Sequence, residues 1–189
     1  NTTDCLLLFT NKGNYLYLPI YELPDIRWKE KGQHVSNIVQ IDRNEEIIQA
    51  IPVTDFEREA YLFFVTKNGL IKRTKLNLYK AQRYTRALVA INLKENDEVV
   101  SVVETDGTKE ILLTSYLGYG LRFKEEDAKE VGIRASGVKG MNFKEGDFVV
   151  SGNMINDIEK EYLVVATQRG ATKKMKITEF ELSTRAKGA

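Results

Sequence analysis

The sequence repeats itself with a period near fifty residues. Gly13 in FTNKGNYLYL, Gly69 in VTKNGLIKRT, Gly118 in TSYLGYGLRF and Gly170 in ATQRGATKKM follow at spacings of 56, 49 and 52 residues. Each glycine lies between apolar runs, the mark of a hairpin turn. A second landmark follows in three repeats: IDRNEEII (Ile41 to Ile48), LKENDEVV (Leu93 to Val100) and FKEGDFVV (Phe143 to Val150). Two landmarks in fixed order restrict the chain to an array of similar units that must stack to bury their faces.

Within each unit the runs are short, apolar and often β-branched, and they read as strands. The first unit offers CLLLF, NYLYL, HVSNIVQI and EIIQAIPV, and the second YLFFV, LIKRT, LVAINL and EVVSVV. The third offers EILLT, LGYGLRF, GVKGMNF and FVVSG, and the fourth YLVVA and ATKKMKI. Only LNLY, EEDAK and ITEF leave room for a single helical turn. The expected fold is all-β: one domain of propeller-like, four-stranded antiparallel blades. The repeats span about 5–54, 61–104, 110–155 and 161–189, the last incomplete, and residues 1–9 are expected to be the tail of a preceding blade.

The composition excludes several classes. No apolar run approaches the roughly 20 residues that span a membrane. One cysteine, Cys5, permits no internal disulfide and fits a reducing compartment. The single histidine, His34, lacks a nearby Cys or second His, so no metal site is expected. Asn1 is not a natural start and no signal peptide follows, so the chain is expected to be a piece of something longer.

The net charge of +1 hides an uneven distribution. Val65 to Leu88 holds seven basic residues and no acidic one, whereas Val89 to Glu110 holds two basic and six acidic. Four residues past the turn glycine stand Arg73, Arg122 and Lys174, and six past stand Lys75, Lys124 and Lys176. Even offsets along a strand share a face, so each blade is expected to present two cations side by side. For one strand, lysines guarding a sheet edge are the simpler reading. Three strands in register favour a track for a polyanion, which means nucleic acid. The first repeat has Tyr17 and Pro19 in those places and is expected to contribute least.

Other residues invite readings that lead nowhere. Glu45, Asp97 and Asp147 recur at one repeat position, which suits the turn better than a paired-carboxylate site. Trp28 and Tyr84 lie in loops between hairpins, where packing between blades is favoured over stacking on bases. Gly118-Tyr119-Gly120 is followed by no helix and no Lys-Ser/Thr, so it is no phosphate loop. No Ser or Thr has a nucleophile-elbow context, and no catalytic residue is expected.

Three stretches are more specific: GNYLYLPIYELPDIRWKEKGQHVSNIV, GIRASGVKGMNFKEGDFVVSG and ATQRGATKKMKITEFELSTRAK. They resemble the C-terminal domain of the A subunit of bacterial type IIA topoisomerases, nearer the topoisomerase IV branch than the gyrase branch, and the likeness runs the whole length. The resemblance implies a β-pinwheel whose blades exchange strands, with about three and a half blades here. It implies duplex DNA bound and bent along a basic outer rim, and presented to the enzyme's cleavage core. Further partners would be that core within the same polypeptide, two B subunits and another copy of the A subunit, in the cytoplasm at the nucleoid. The cleavage tyrosine, Mg and ATP belong to other parts of such an enzyme, so no cofactor is expected in this domain. The gyrase QRRGGKG-like box is only echoed, by Gln82-Arg83-Tyr84-Thr85-Arg86. Where RAKGA stands, the family pattern runs on with a further basic residue and a strand, so residues are expected beyond Lys187.

The candidate DNA-binding residues are Lys72, Arg73, Lys75, Arg83 and Arg86 in the second repeat, and Arg122, Lys124, Arg134 and Lys139 in the third. The fourth adds Lys173, Lys174, Lys176, Arg185 and Lys187. The alternative function is a protein-binding propeller of the WD or kelch kind, which would want Trp-Asp or Gly-His pairs at repeat spacing; none occurs.

Overall fold

Each glycine-anchored turn closes a hairpin. In the computed structural model, which describes residues 2–82 and 85–187, β1 (Cys5–Thr10) pairs with β2 (Asn14–Pro19), and β4 (Tyr61–Thr66) with β5 (Leu70–Lys75). Likewise β8 (Glu110–Ser115) pairs with β9 (Gly120–Lys124), and β12 (Tyr162–Ala166) with β13 (Thr172–Lys176). Beside the first three hairpins lies a strand from the same repeat: β3 (Ile47–Val53), β7 (Val99–Thr105) and β11 (Val149–Ile155). Single 3-10 turns follow the hairpins at Ile20–Glu22, Leu76–Tyr79, Glu125–Asp127 and Ile177–Glu179.

The outer strand of each sheet comes from the next repeat. The orders are β3-β1-β2-β6, β10-β5-β4-β7 and β11-β8-β9-β14, with β6 at Leu88–Val89, β10 at Val138–Lys139 and β14 at Leu182–Ser183. The first two outer strands pair antiparallel. β14 pairs parallel, through Leu182–Arg122 and Ser183–Phe123, which departs from the all-antiparallel expectation. The bridge between Arg73 and Glu130, also parallel, is its counterpart one blade earlier.

The turn glycines explain this exchange. Gly13 and Gly69 have φ of +79° and +77°, a region that favours glycine. Their carbonyls receive the incoming chain, from Ala90 and Ile91 N at 2.8 and 3.0 Å and from Gly140 N at 2.7 Å. Where that chain crosses blade two, Gly137 has φ +88°, and a Cβ there would run into the Ile71 carbonyl. Gly137→Ala is therefore expected to cost about 3 kcal/mol, read from urea midpoints, because it combines a left-handed alanine with a backbone clash. A loss below about 1 kcal/mol would show that the crossing is not tightly held.

The core is a set of layers between blades. On β4, Leu62 and Phe64 face blade one, packing with Leu7, Phe9 and Tyr15. Phe63 and Val65 face blade three, packing with Ile111, Leu113 and Phe123. Both faces of a middle blade are thus buried, which is why YLFFV is apolar without alternation. The edge strands β3, β7 and β11 pack on one another in chain order, and Ser101 Oγ on β7 donates to Gly152 O on β11 at 2.6 Å.

Among the described residues, the other face of blade one is covered by Val35, Ile38, Val39 and Ile41, which pack on Leu8, Leu16 and Leu18. This corrects the reading of HVSNIVQI as a strand: Val35–Asn37 is a 3-10 turn whose Ser36 N donates to His34 Nδ1. The outer place in this sheet is taken by β6, as β10 and β14 take it in the next two. Cys5–Phe9 also differs from expectation, since β1 lies between β2 and β3 and is not the tail of another blade.

Candidate nucleic-acid interface

The second strand of every repeat ends at one corner, and the residue there begins a 3-10 turn. In chain order these residues are Pro19, Lys75, Lys124 and Lys176; three are in extended backbone, and Lys75 has φ −59° and ψ 138°. The three lysines are exposed. Lys75 lies 3.7 Å from Glu130, a pair about half open to solvent. Such a surface pair contributes about 0–1 kcal/mol and leaves the ammonium available.

The residue two positions earlier behaves differently. It reaches diagonally to the first residue of the neighbouring strand. Tyr17 bonds to Cys5, and Arg73 lies 5.0 Å over the Tyr61 ring. Arg122 Nε donates to Glu110 Oε2 at 2.7 Å, and Lys174 lies 4.0 Å over the Tyr162 ring. The expected side-by-side cation pair is thus one residue engaged across the strand pair and one exposed lysine at the corner.

Two candidates leave the surface altogether. Arg122 is 8% exposed, and its Nη1 also donates to Phe180 O at 2.6 Å. Lys72 is 1% exposed, and its Nζ donates to Ala90 O at 2.7 Å and to Ile133 O. Burial pushes the Lys72 ammonium down to about 7. Both were expected to meet a polyanion; each is held instead by one partner from its own repeat, Ala90 O or Glu110, and one from the next, Ile133 O or Phe180 O. Arg185 is half-buried, and its Nε donates to Asp127 O at 2.8 Å while Nη1 donates to Lys139 O at 3.0 Å.

Strand exchange brings other candidates together. Arg86, just before β6, and Arg134, in the loop ahead of β10, line one cleft with Tyr15, Leu88 and Ile133. Both are exposed, as are Lys139, Lys173, Lys174 and Lys187. Arg83 and Tyr84 lie outside the described residues. The tyrosines Tyr61 and Tyr162, which carry the cations, were not singled out in the sequence. Their signal was their constant place opposite the corner residue, as in Tyr61–Lys75 and Tyr162–Lys176.

The recurring acidic residues serve the turns. Asp97 Oδ1 accepts from Asn68 N and Glu98 N, each at 2.9 Å. Asp147 Oδ1 accepts from Leu117 N and Phe148 N, each at 2.9 Å. Burial works to raise the Asp147 carboxyl, yet these amides and Ser115 hold it below its ordinary value. Glu45 accepts from Thr10 Oγ1 and Asn14 Nδ2. Among the described residues no group of three or more His, Cys, Asp or Glu could hold a metal ion. Trp28 packs between no blades: it is 88% exposed, with Lys29 Nζ 5.3 Å from its ring.

These features have close relatives. The family model of the DNA gyrase C-terminal domain, a β-propeller, matches residues 6–54, 60–106, 109–156 and 161–188. The chain is 56% identical over 187 residues to the A subunit of DNA topoisomerase 4 from Bacillus subtilis (strain 168), covering 99% of this chain and 23% of that protein. A crystal structure of the C-terminal domain of DNA topoisomerase IV superposes with a TM-score of 0.96 at 61% identity, over 100% of this chain and 58% of that one. The structure of a DNA gyrase A C-terminal domain superposes at 0.79 with 25% identity, over 98% and 58%. Repeats, exchanged outer strands and these matches together place the chain in the family of C-terminal domains found in the A subunits of DNA gyrase and topoisomerase IV.

Proposed function

We propose that this domain binds duplex DNA without sequence preference along the outer corners of its blades and bends it. It would thereby present a DNA segment to the cleavage core of a type II topoisomerase, for relaxation and decatenation during chromosome segregation. The carrying observation is the exposed lysine at one repeated corner, Lys75, Lys124 and Lys176, with the Arg86–Arg134 cleft supplying further cations. Binding of this kind needs positive charge at the phosphate spacing and no base-reading helix. The domain itself performs no chemistry in this reading. ATP, Mg and the cleaving residues would sit in the rest of an assembly of two A and two B subunits, in the cytoplasm at the nucleoid.

Bending follows from the arc of blades. Curving 20–30 base pairs smoothly costs on the order of 1–6 kcal/mol. One lysine does not offset that, whereas several corners in an arc do, since each adds contacts only if the duplex curves to reach it. With roughly six phosphates contacted, log K should fall with log[salt] at a slope of about −5. Fluorescence anisotropy of a labelled duplex across a salt series tests this. A slope near zero would refute the reading and turn attention to a protein partner.

A further inference from the structure

Blade one has Pro19 where the others carry the corner lysine, but a longer loop leaves that same corner. Every residue from 21 to 34 is exposed. Within it, Glu30 N donates to Arg27 O at 2.8 Å, closing a four-residue turn with Trp28 and Lys29 at its tip. Turn tips favour Gly, Asn, Asp, Ser and Pro, for conformational reasons that do not apply to tryptophan. An indole left in water forgoes the burial that ordinarily places it. Its sequence neighbours are Arg27 and Lys29, with Lys31 close behind, and none of the three forms an ion pair among the described residues. Asp25 and Glu30 flank them, so the loop is not a general cationic patch. Its distinctive feature is a hydrogen-bonded tip presenting one apolar ring between two cations.

We propose that residues 27–31 form a finger by which blade one engages duplex DNA. The Trp28 ring enters the minor groove as an apolar wedge, and Arg27, Lys29 and Lys31 hold the phosphates on either side. Apolar wedges in the minor groove unstack a base step and kink the duplex. The finger thus replaces the missing corner lysine with a bend-inducing contact, so blade one is not the weakest contributor. This inference rests on the DNA-binding reading above.

Trp28 is the single tryptophan of the chain, so intrinsic fluorescence reports on it alone. The whole chain is titrated with a duplex of about 30 base pairs, the length over which a bend is measurable, at low salt, while anisotropy of the labelled duplex reports binding. The expected result is quenched Trp28 emission and a several-fold drop in its acrylamide accessibility, in step with the anisotropy. Anisotropy rising while Trp28 stays fully accessible overturns the finger and leaves the corner-lysine reading standing. No anisotropy rise overturns both. Trp28→Ala, at an exposed tip, should leave the salt slope unchanged and reduce bending in end-labelled duplex. Replacing Arg27, Lys29 and Lys31 by Gln should lower the slope by about 3. If added topoisomerase cleavage core shields Trp28 while duplex DNA does not, the finger is a protein contact and the proposal fails.

Discussion

Replacing Lys75, Lys124 and Lys176 together by Gln is expected to weaken duplex binding by on the order of 10²–10³-fold at about 0.1 M salt. Each lysine that neutralises a phosphate contributes about one unit to the salt slope, so the slope should fall by about 3. The loss should be the same for unrelated sequences, because phosphates carry no sequence information. Folding should be little affected, since all three side chains are exposed and their backbone conformation suits glutamine as well. Arg122→Gln is the matching control. Its guanidinium is held by Glu110 and Phe180 O, so its loss should destabilise the third blade by about 2–3 kcal/mol. It should leave the slope of the folded protein unchanged. Anisotropy titrations at several salt concentrations, with urea unfolding alongside, separate the two effects. If Arg122→Gln flattens the slope while the triple variant does not, the corner has been assigned to the wrong repeat position.

The second large effect concerns Lys72 and pH. In the unfolded chain its ammonium keeps its proton until about 10.5, while in the fold burial brings that value down to about 7. Between these values the unfolded state binds more protons, so stability rises as pH rises. From about pH 7 to about pH 9 the gain should be about 2 kcal/mol, each unit contributing at most about 1.4. Above about pH 9 the trend should reverse. Burial pushes the Cys5 thiol up to about 11 and the Tyr15 and Tyr17 hydroxyls up to about 12. These groups ionise first in the unfolded chain, so stability is lost beyond their ordinary values. A maximum near about pH 9 in urea midpoints is the expected outcome. Lys72→Met should remove the rise yet keep the fold, because Ala90 O retains the Tyr79 hydroxyl at 3.2 Å. Lys72→Glu should cost about 3–5 kcal/mol, since it sets a carboxyl against two carbonyl oxygens. A pH profile of Lys72→Met that matches the parent would assign the alkaline gain to another group.

Much of the fold was legible because it is local. Gly13 and Gly69 mark hairpins through φ, a property of one residue. The unbroken apolar run of β4 already implies a sheet buried on both faces, and the single turns at LNLY, EEDAK and ITEF are the observed 3-10 turns. Asp97 and Asp147 announced their turn role by recurring beside a fixed landmark. The strand exchange was legible only through resemblance, since a two-residue strand such as β6 or β10 carries no periodicity of its own.

The sequence by itself determined how many units there are, where each turns, and which strand is basic in the last three. Tertiary structure alone decided which of those basic residues face water. Alternation puts Arg73 and Lys75, or Arg122 and Lys124, on one side of a strand and treats each pair alike. What separates them is the neighbouring strand and the next repeat, which engage the inner residue and leave the corner residue exposed. Lys72 makes the point at longest range, because the carbonyl of Ile133 that holds it lies 61 residues away along the polypeptide. Burial depends on which distant backbone crosses overhead, and no local pattern of charge encodes that crossing.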